Sequence, residues 1–182
     1  MFRLYKQTGI KRFRDAALNA IEYENLQRDA RTGHWLDLRG DTPNIMNSWC
    51  NGAPGIGLAR LEMHKIESKS EFVEDIEKAI HLSLQERPFL LDQLCCGALG
   101  ISELLLNAGT YFQNQNWLNT ANQIAHEAIK AAKPSNRFRL LRTLPTDLPF
   151  SGFMQGDAGI AYQLLRLNHP EQFPSVLTLS TQ

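Results

Sequence analysis

The sequence predicts an all-α fold built from repeated pairs of one inner and one outer helix. Three segments share the motif Gly-x-x-Gly-Ile, and each leads into a leucine-rich run; they are residues 52–56, 97–101 and 156–160. Three polar-faced stretches alternate with these apolar runs, and patterns typical of strands are scarce. Internal repetition of this kind indicates stacked helical repeats, with the apolar helices in the inner layer.

The outer helices are predicted at residues 9–28, 69–86 and 116–132. Each stretch places apolar side chains at helical spacing along one face, as Phe72 and Ile76 do in the second stretch. This spacing is typical of amphipathic helices that bury one face and leave the other in water.

Two segments fall outside the helical pattern. Residues 34–39 (HWLDLR) alternate weakly, which fits either a short strand or an extended loop. Residues 133–155 contain three prolines and are predicted to form a long loop. Stacked repeats expose an apolar edge unless a cap covers it. We therefore expect further repeats before residue 1, and we expect this chain on its own to self-associate.

Composition excludes several functional classes. The 182 residues include 19 basic and 19 acidic side chains, so the chain has no general attraction for nucleic acid or anionic membranes. It has no run of 18 apolar residues and no signal-peptide core at its N-terminus, so we expect no membrane span and a cytoplasmic location. Three cysteines, an odd number, do not form a closed disulfide framework.

All three cysteines lie beside the repeated glycines. Cys50 is two residues before Gly52, and Cys95 and Cys96 directly precede Gly97. Because equivalent loops of stacked repeats lie at one end of the stack, the three thiols are expected to converge. Three thiolates suggest a tetrahedral zinc site with one open position, as in catalytic sites. The alternative is that these cysteines are small residues buried at tight helix starts.

The motifs around these cysteines resemble those of a known family. SWCNGAPGIGLARL (residues 48–61) resembles the Trp-Cys-x-Gly-x-Pro-Gly block of lanthionine synthetase cyclases. LCCG (residues 94–97) resembles their second block, and GFMQGDAGI (residues 152–160) resembles their closing glycine block. On these motifs residues 1–182 are identified as a C-terminal portion of the LanC-like cyclase domain of a class II (LanM-type) lanthipeptide synthetase, without its dehydratase domain. The chain is similar to the subgroup with Cys-Cys-Gly in the second block.

The resemblance implies a fold, a metal and a reaction. The fold is an α/α toroid, of which this chain would form a partial ring of about three inner and outer helix pairs. The zinc ligands carried over are Cys50, Cys95 and Cys96. In the implied reaction, a cysteine thiol of a dehydrated precursor peptide binds Zn²⁺ at the open position and loses its proton. It then adds to dehydroalanine or dehydrobutyrine in the same peptide, which closes a lanthionine or methyllanthionine ring.

The proton-transfer residues are where the sequence departs from the family. The family's candidate histidine and a nearby aspartate lie in earlier repeats, and Met46 stands where some members have an arginine. His34, in the loop region before Cys50, is the local candidate for the missing acid. Two interpretations of the chain's role stay open. The chain is part of a larger synthetase and works with the missing N-terminal part, or it is a non-catalytic helical-repeat remnant that binds peptide or a partner chain, with or without zinc.

Overall fold

The computed structural model confirms the all-α prediction. It describes residues 1–85, 87, 89–141 and 150–179. Within these ranges the elements are α1 (Phe2–Thr8), α2 (Lys11–Leu26), β1 (Leu36–Asp37), β2 (Asn44–Ile45), α3 (Ala53–His64), α4 (Ser70–Gln85), α5 (Ala98–Tyr111), α6 (Gln115–Ala132) and α7 (Asp157–Asn168). None of the helices in the described part of the chain is both long and apolar enough to cross a lipid bilayer.

Helix α5 lies at the centre of the fold. Its residues 98–106 are all buried, including the polar side chains of Ser102 and Glu103. A helix that is buried on every side must be covered by neighbours all round. Helices α3, α4, α6 and α7 provide this cover. The glycine-led helix of the second repeat is therefore the core of the molecule, as its apolar sequence predicts.

Helices α4 and α6 form the outer layer. Each buries residues at helical spacing, such as Phe72, Ile76 and Ala79 on α4 and Ala121 and Ile124 on α6. Helix α4 packs on α3, and α6 packs on α5. The glycine-led α7 also buries only one face, and its Leu165 is half exposed. The uniformly apolar inner helix that the motif suggested is thus realised in α5 and not in α7.

The outer helix predicted at residues 9–28 corresponds to α2 (Lys11–Leu26), and the sequence did not predict the short helix α1 before it. The chain forms two helices, and α1 ends at Gly9, which has a φ of 68° and donates its N–H to the Tyr5 carbonyl at 2.8 Å. This left-handed conformation suits glycine and terminates a helix. Phe2 of α1 and Ala17 of α2 are buried with Phe72 of α4, so both helices pack on the second outer helix.

A short hairpin leads the chain from α2 to the first cysteine. Strand β1 pairs antiparallel with β2, with Leu36 opposite Ile45, so residues 34–39 contain both a short strand and extended loop. A further bridge joins Asn47 to Gly52. This bridge closes a tight turn with Cys50 inside it. Of the loop predicted at residues 133–155, the described residues are non-helical, while Pro145 and Pro149 lie outside them.

A buried ion pair attaches the C-terminal segment to the core. Arg166 Nε lies 2.9 Å from both carboxylate oxygens of Glu103, and Ser175 donates its hydroxyl to the same carboxylate. Arg166 also donates to the carbonyl of Phe173. With the segment fixed in this way, the Leu177 carbonyl accepts a 3.1 Å hydrogen bond from the indole of Trp49, next to Cys50.

Replacing Arg166 by Met should destabilise the protein by about 3–5 kcal/mol, because Glu103 is left charged and 1% exposed without its partner. Chemical denaturation measures this difference, and the exposed Arg137→Met variant is the control. A loss below about 1 kcal/mol for Arg166→Met would contradict the importance of the buried pair.

Candidate metal centre

The structure brings together the sulfurs of Cys50, Cys95 and Cys96. All three Sγ atoms lie within 4.8 Å of one another. Cys96 Sγ is 3.7 Å from Cys50 Sγ and 3.2 Å from Cys95 Sγ. Sulfurs bonded at about 2.3 Å to one tetrahedral zinc ion lie about 3.8 Å apart. The spacing of the three thiols is therefore close to that of a metal ligand set.

Backbone hydrogen bonds hold together the three loops that precede the glycine-led helices. Trp49 donates its N–H to the Cys95 carbonyl at 2.8 Å, and Cys95 donates its own to the Met154 carbonyl, also at 2.8 Å. The loops before α3, α5 and α7 therefore lie side by side. Met154 occupies the register position of Cys50 and Cys95, so the third loop supports the site without contributing a thiol.

Glycines allow each helix to start directly against its own loop. A Cβ on Gly55, Gly100 or Gly159 would lie 2.0, 2.3 or 1.7 Å from the backbone oxygen six residues earlier. No side chain fits at these distances, so the Gly-x-x-Gly motif fixes how far the loop folds back on the helix. Gly52 meets a second requirement, since its φ of 134° is strained for any other residue.

The three thiols differ in their readiness to ionise. Burial opposes ionisation of Cys50, but hydrogen bonds from Ser48 and from the two other thiols lower the pKa of Cys50 below its ordinary value. Burial, together with the neighbouring thiols, raises the pKa of Cys95. Burial and the charge of Cys50 also raise the pKa of Cys96. Three thiolates this close need a cation to compensate their charge.

Two polar side chains face the sulfurs from the same register position. The Ser48 hydroxyl lies 3.5 Å from Cys50 Sγ, and the Gln93 side chain partly offsets the rise in the pKa of Cys96. Gln93 Nε2 is buried and makes no hydrogen bond of ordinary geometry within the part of the chain that the structure describes. A buried N–H donor without a partner, next to a thiol, fits a site whose sulfur becomes anionic on binding a metal.

Two cavities meet at Cys50 and Trp49. One, of about 350 Å³, is also lined by Asp37 and Arg39 from the hairpin. The other, of about 720 Å³, is mainly apolar and runs between α2 and α3 toward the C-terminal segment. Cys50 is therefore an exposed residue that lines both cavities.

Arg39 is a cation that lines the same cavity as Cys50 and interacts with the charge of the thiols. Asp37 holds its guanidinium with two hydrogen bonds of 2.9 and 3.0 Å, which raise the pKa of Arg39 and hold the pKa of Asp37 well below its ordinary value. The charges of Cys50 and Cys96 raise the pKa of Arg39 further. Arg39 thus lies within electrostatic reach of the sulfurs.

His34, the local candidate for the acid, is outside the lining of both cavities. Its side chain is buried, its carbonyl accepts a hydrogen bond from Asp29, and it does not line either cavity beside Cys50. Sequence reasoning missed Arg39, Ser48 and Gln93. The repeat register carried a signal for the last two, since each stands two residues before the first cysteine of its block.

Comparison with known proteins identifies a family and a curated relative. A family model described as lanthionine synthetase C-like protein matches residues 1–178. The chain is also 26% identical over 156 residues to the lacticin 481/lactococcin biosynthesis protein LcnDR2 of Lactococcus lactis subsp. lactis. That alignment covers 80% of this chain but 17% of the relative, so the chain spans a small part of the relative's length.

In metal-free protein, Cys50 should react with iodoacetamide before Cys96, and Cys95 should react last. Cys50 is exposed, Cys96 is half-buried and Cys95 is buried. Peptide mapping by mass spectrometry after timed alkylation gives the order, and Cys50→Ser checks the assignment. Equal rates at all three positions would contradict the arrangement of the thiols described above.

Proposed function

This chain belongs to the lanthionine synthetase C-like family, and from that premise we propose that it provides the zinc site of a lanthionine cyclase. Its substrate is a dehydrated precursor peptide, and its product is a lanthionine or methyllanthionine ring. The observation that carries the proposal is the convergence of three cysteine sulfurs from two repeats within 4.8 Å. In this proposal residues 1–182 are a C-terminal portion of the cyclase domain of a larger synthetase.

Cys50, Cys95 and Cys96 would hold the zinc ion. An all-sulfur donor set suits zinc, and three protein ligands leave a fourth position for a substrate thiol. Bound zinc lowers the pKa of a coordinating thiol far enough to deprotonate it. Three thiolate ligands give the site a net negative charge, which leaves a substrate sulfur more electron-rich than a site with a neutral histidine ligand would.

The proposed reaction joins sulfur to carbon without loss of mass. The peptide thiolate forms a bond to the β-carbon of dehydroalanine or dehydrobutyrine, and the carbon–carbon double bond breaks. The electron pair moves to the α-carbon and the adjoining amide oxygen, and a proton then adds to the α-carbon. The site must therefore accept a peptide beside Cys50 and stabilise negative charge on an amide oxygen.

Arg39 is suited to stabilising negative charge on the amide oxygen. It lines the same cavity as Cys50, and the Asp37 carboxylate fixes the orientation of its planar guanidinium. A donor held in place before the reaction stabilises developing negative charge without reorganising. Arg39 can also bind the peptide amide before the reaction, because an arginine presents several N–H donors in a rigid fork.

The second candidate is a non-catalytic remnant that binds peptide. One observation favours it, since no histidine is among the described residues that line the two cavities. The acidic and phenolic groups there are Tyr23 and Asp37 beside the smaller cavity, Glu62 beside the larger one and Glu24 beside both. Binding of a dehydrated peptide without thioether formation distinguishes this candidate from a cyclase.

Purified protein should bind one zinc ion per chain, and Cys50→Ser or Cys96→Ser should lower this stoichiometry because each removes one of three ligands. Elemental analysis by mass spectrometry measures the zinc content. Gln155→Ala is the control, because Gln155 occupies the register position of Cys96 in the third block and is exposed. Wild-type protein with well under one zinc ion per chain, unchanged by Cys50→Ser, would refute the metal site.

Incubation with a dehydrated peptide should consume peptide thiols, and Arg39→Gln should slow this reaction about 10-fold at unchanged zinc content. Removing a fixed donor to an oxyanion costs about 10²–10³ in kcat, and a smaller loss is expected here because the Arg39 side chain is 66% exposed. Thiol alkylation followed by mass spectrometry counts the remaining thiols, since ring closure leaves the mass unchanged.

The exposed Arg137→Gln variant is the control for the loss of a positive charge. Equal rates for Arg39→Gln and wild type would remove Arg39 from the mechanism. Zinc-loaded protein that binds the peptide and leaves every thiol unreacted would favour the non-catalytic remnant.

A further inference from the structure

We propose that Gln93 is a positioning residue that donates a hydrogen bond from Nε2 to the Cys96 sulfur and thereby holds this thiolate in the ligand set. The inference rests on the zinc site proposed above and deepens it. It assigns a role to a buried side chain that neither the motifs nor the reaction explains.

The orientation of the Gln93 amide is fixed. The side chain is fully buried, and its Oε1 accepts the backbone N–H of Leu141 at 2.9 Å. A side-chain amide carries its acceptor on one branch and its donors on the other. With Oε1 bound to Leu141, Nε2 must be directed away from that contact.

The backbone around Gln93 is held just as firmly. The neighbouring Asp92 is fully buried, and its carboxylate accepts the backbone N–H of Arg139 at 2.7 Å and the guanidinium Nε at 3.1 Å. Asp92 in turn donates its own N–H to the Arg139 carbonyl at 2.8 Å. Farther along the loop, Ala98 donates to the Leu91 carbonyl at 2.9 Å. Gln93 therefore has little freedom to turn away from Cys96.

Gln93 Nε2 is buried and has no hydrogen-bond acceptor of ordinary geometry among the described residues. The Gln93 backbone lies directly against Gly97, where a Cβ would be 2.6 Å from the Gln93 nitrogen and oxygen, so the residue lies beside Cys96. A neutral thiol is a weak acceptor. A thiolate is a much better one, because hydrogen bonds to ionised groups are shorter and stronger. Ligation of a metal by Cys96 thus supplies the acceptor that Nε2 lacks.

The repeat register supports this role independently. Gln93 stands two residues before Cys95, as Ser48 stands two residues before Cys50. Ser48 is itself buried and places its hydroxyl 3.5 Å from Cys50 Sγ. In the third block, which has no cysteine, the equivalent residue is Gly152. A polar side chain occupies this position in the two blocks that carry thiols.

Zinc affinity is the first test. Gln93→Met and Gln93→Glu both remove the donor, and Gln93→Glu keeps an oxygen for the Leu141 N–H, so it carries the test if Gln93→Met fails to fold. Both variants should bind zinc about 10-fold to 100-fold more weakly in competition with a chromophoric chelator, as losses of hydrogen bonds to ligands typically do.

A spectroscopic signature separates a hydrogen bond to sulfur from a structural effect. In cobalt-substituted protein, loss of the N–H donor should move the thiolate-to-metal charge-transfer band to longer wavelength, because the hydrogen bond stabilises the sulfur lone pairs. Arg139→Lys is the matched control, since it loosens the same loop at Asp92 without facing a sulfur. It should leave the band in place.

The outcomes distinguish this inference from the proposed function. If wild type binds zinc and both Gln93 variants match its affinity and band position, the role of Gln93 is overturned while the zinc site stands. An equal affinity loss and band shift in Arg139→Lys would also overturn it, because loop structure alone would then explain the effect. Wild-type protein that binds neither metal would overturn both proposals.

Discussion

The candidate site depends on the close approach between the first turn of each glycine-led helix and the loop before it. At Gly55, Gly100 and Gly159 the backbone oxygen six residues earlier occupies the space that a Cβ would take. This contact folds each loop back by the same amount, so hydrogen bonds can link Trp49 to Cys95 and Cys95 to Met154. Thiols that are 45 residues apart in sequence meet because the three loops share one geometry.

A buried hydrogen-bond network around Glu103 also supports the site. The Glu103 carboxylate on α5 binds Arg166 on α7 and Ser175 in the C-terminal segment, all within the core. A buried ion pair is costly unless its hydrogen bonds are complete, and here Gln163 adds a further donor at 2.8 Å. The same segment meets the Trp49 indole, so the core fixes one wall of the space around Cys50.

Much of this arrangement could be predicted from sequence, because its causes are local. The repeated glycines mark where α3, α5 and α7 begin, and the helical spacing of apolar residues marks α4 and α6. The short helix α1 was not predicted, because its seven residues are too few to show a clear helical period. The end of α1 depends on a left-handed conformation that the pattern does not reveal.

The parts of the site that sequence missed depend on long-range contacts. Arg39 reaches the cavity through a hairpin with two-residue strands, too short to give a clear alternating pattern. The Gln93 amide is oriented by Leu141, 48 residues away. His34 lies in the loop region before Cys50 in sequence, but its backbone is held in a turn with Asp29 and it lines neither of the two cavities.

X-ray absorption at the zinc edge of metal-loaded protein tests the central claim most directly. If Cys50, Cys95 and Cys96 form the ligand set, the spectrum should show three sulfurs at about 2.3 Å and one lighter ligand or a fourth sulfur from added thiol. Two or fewer sulfurs, with nitrogen making up the rest of the coordination sphere, would contradict the account.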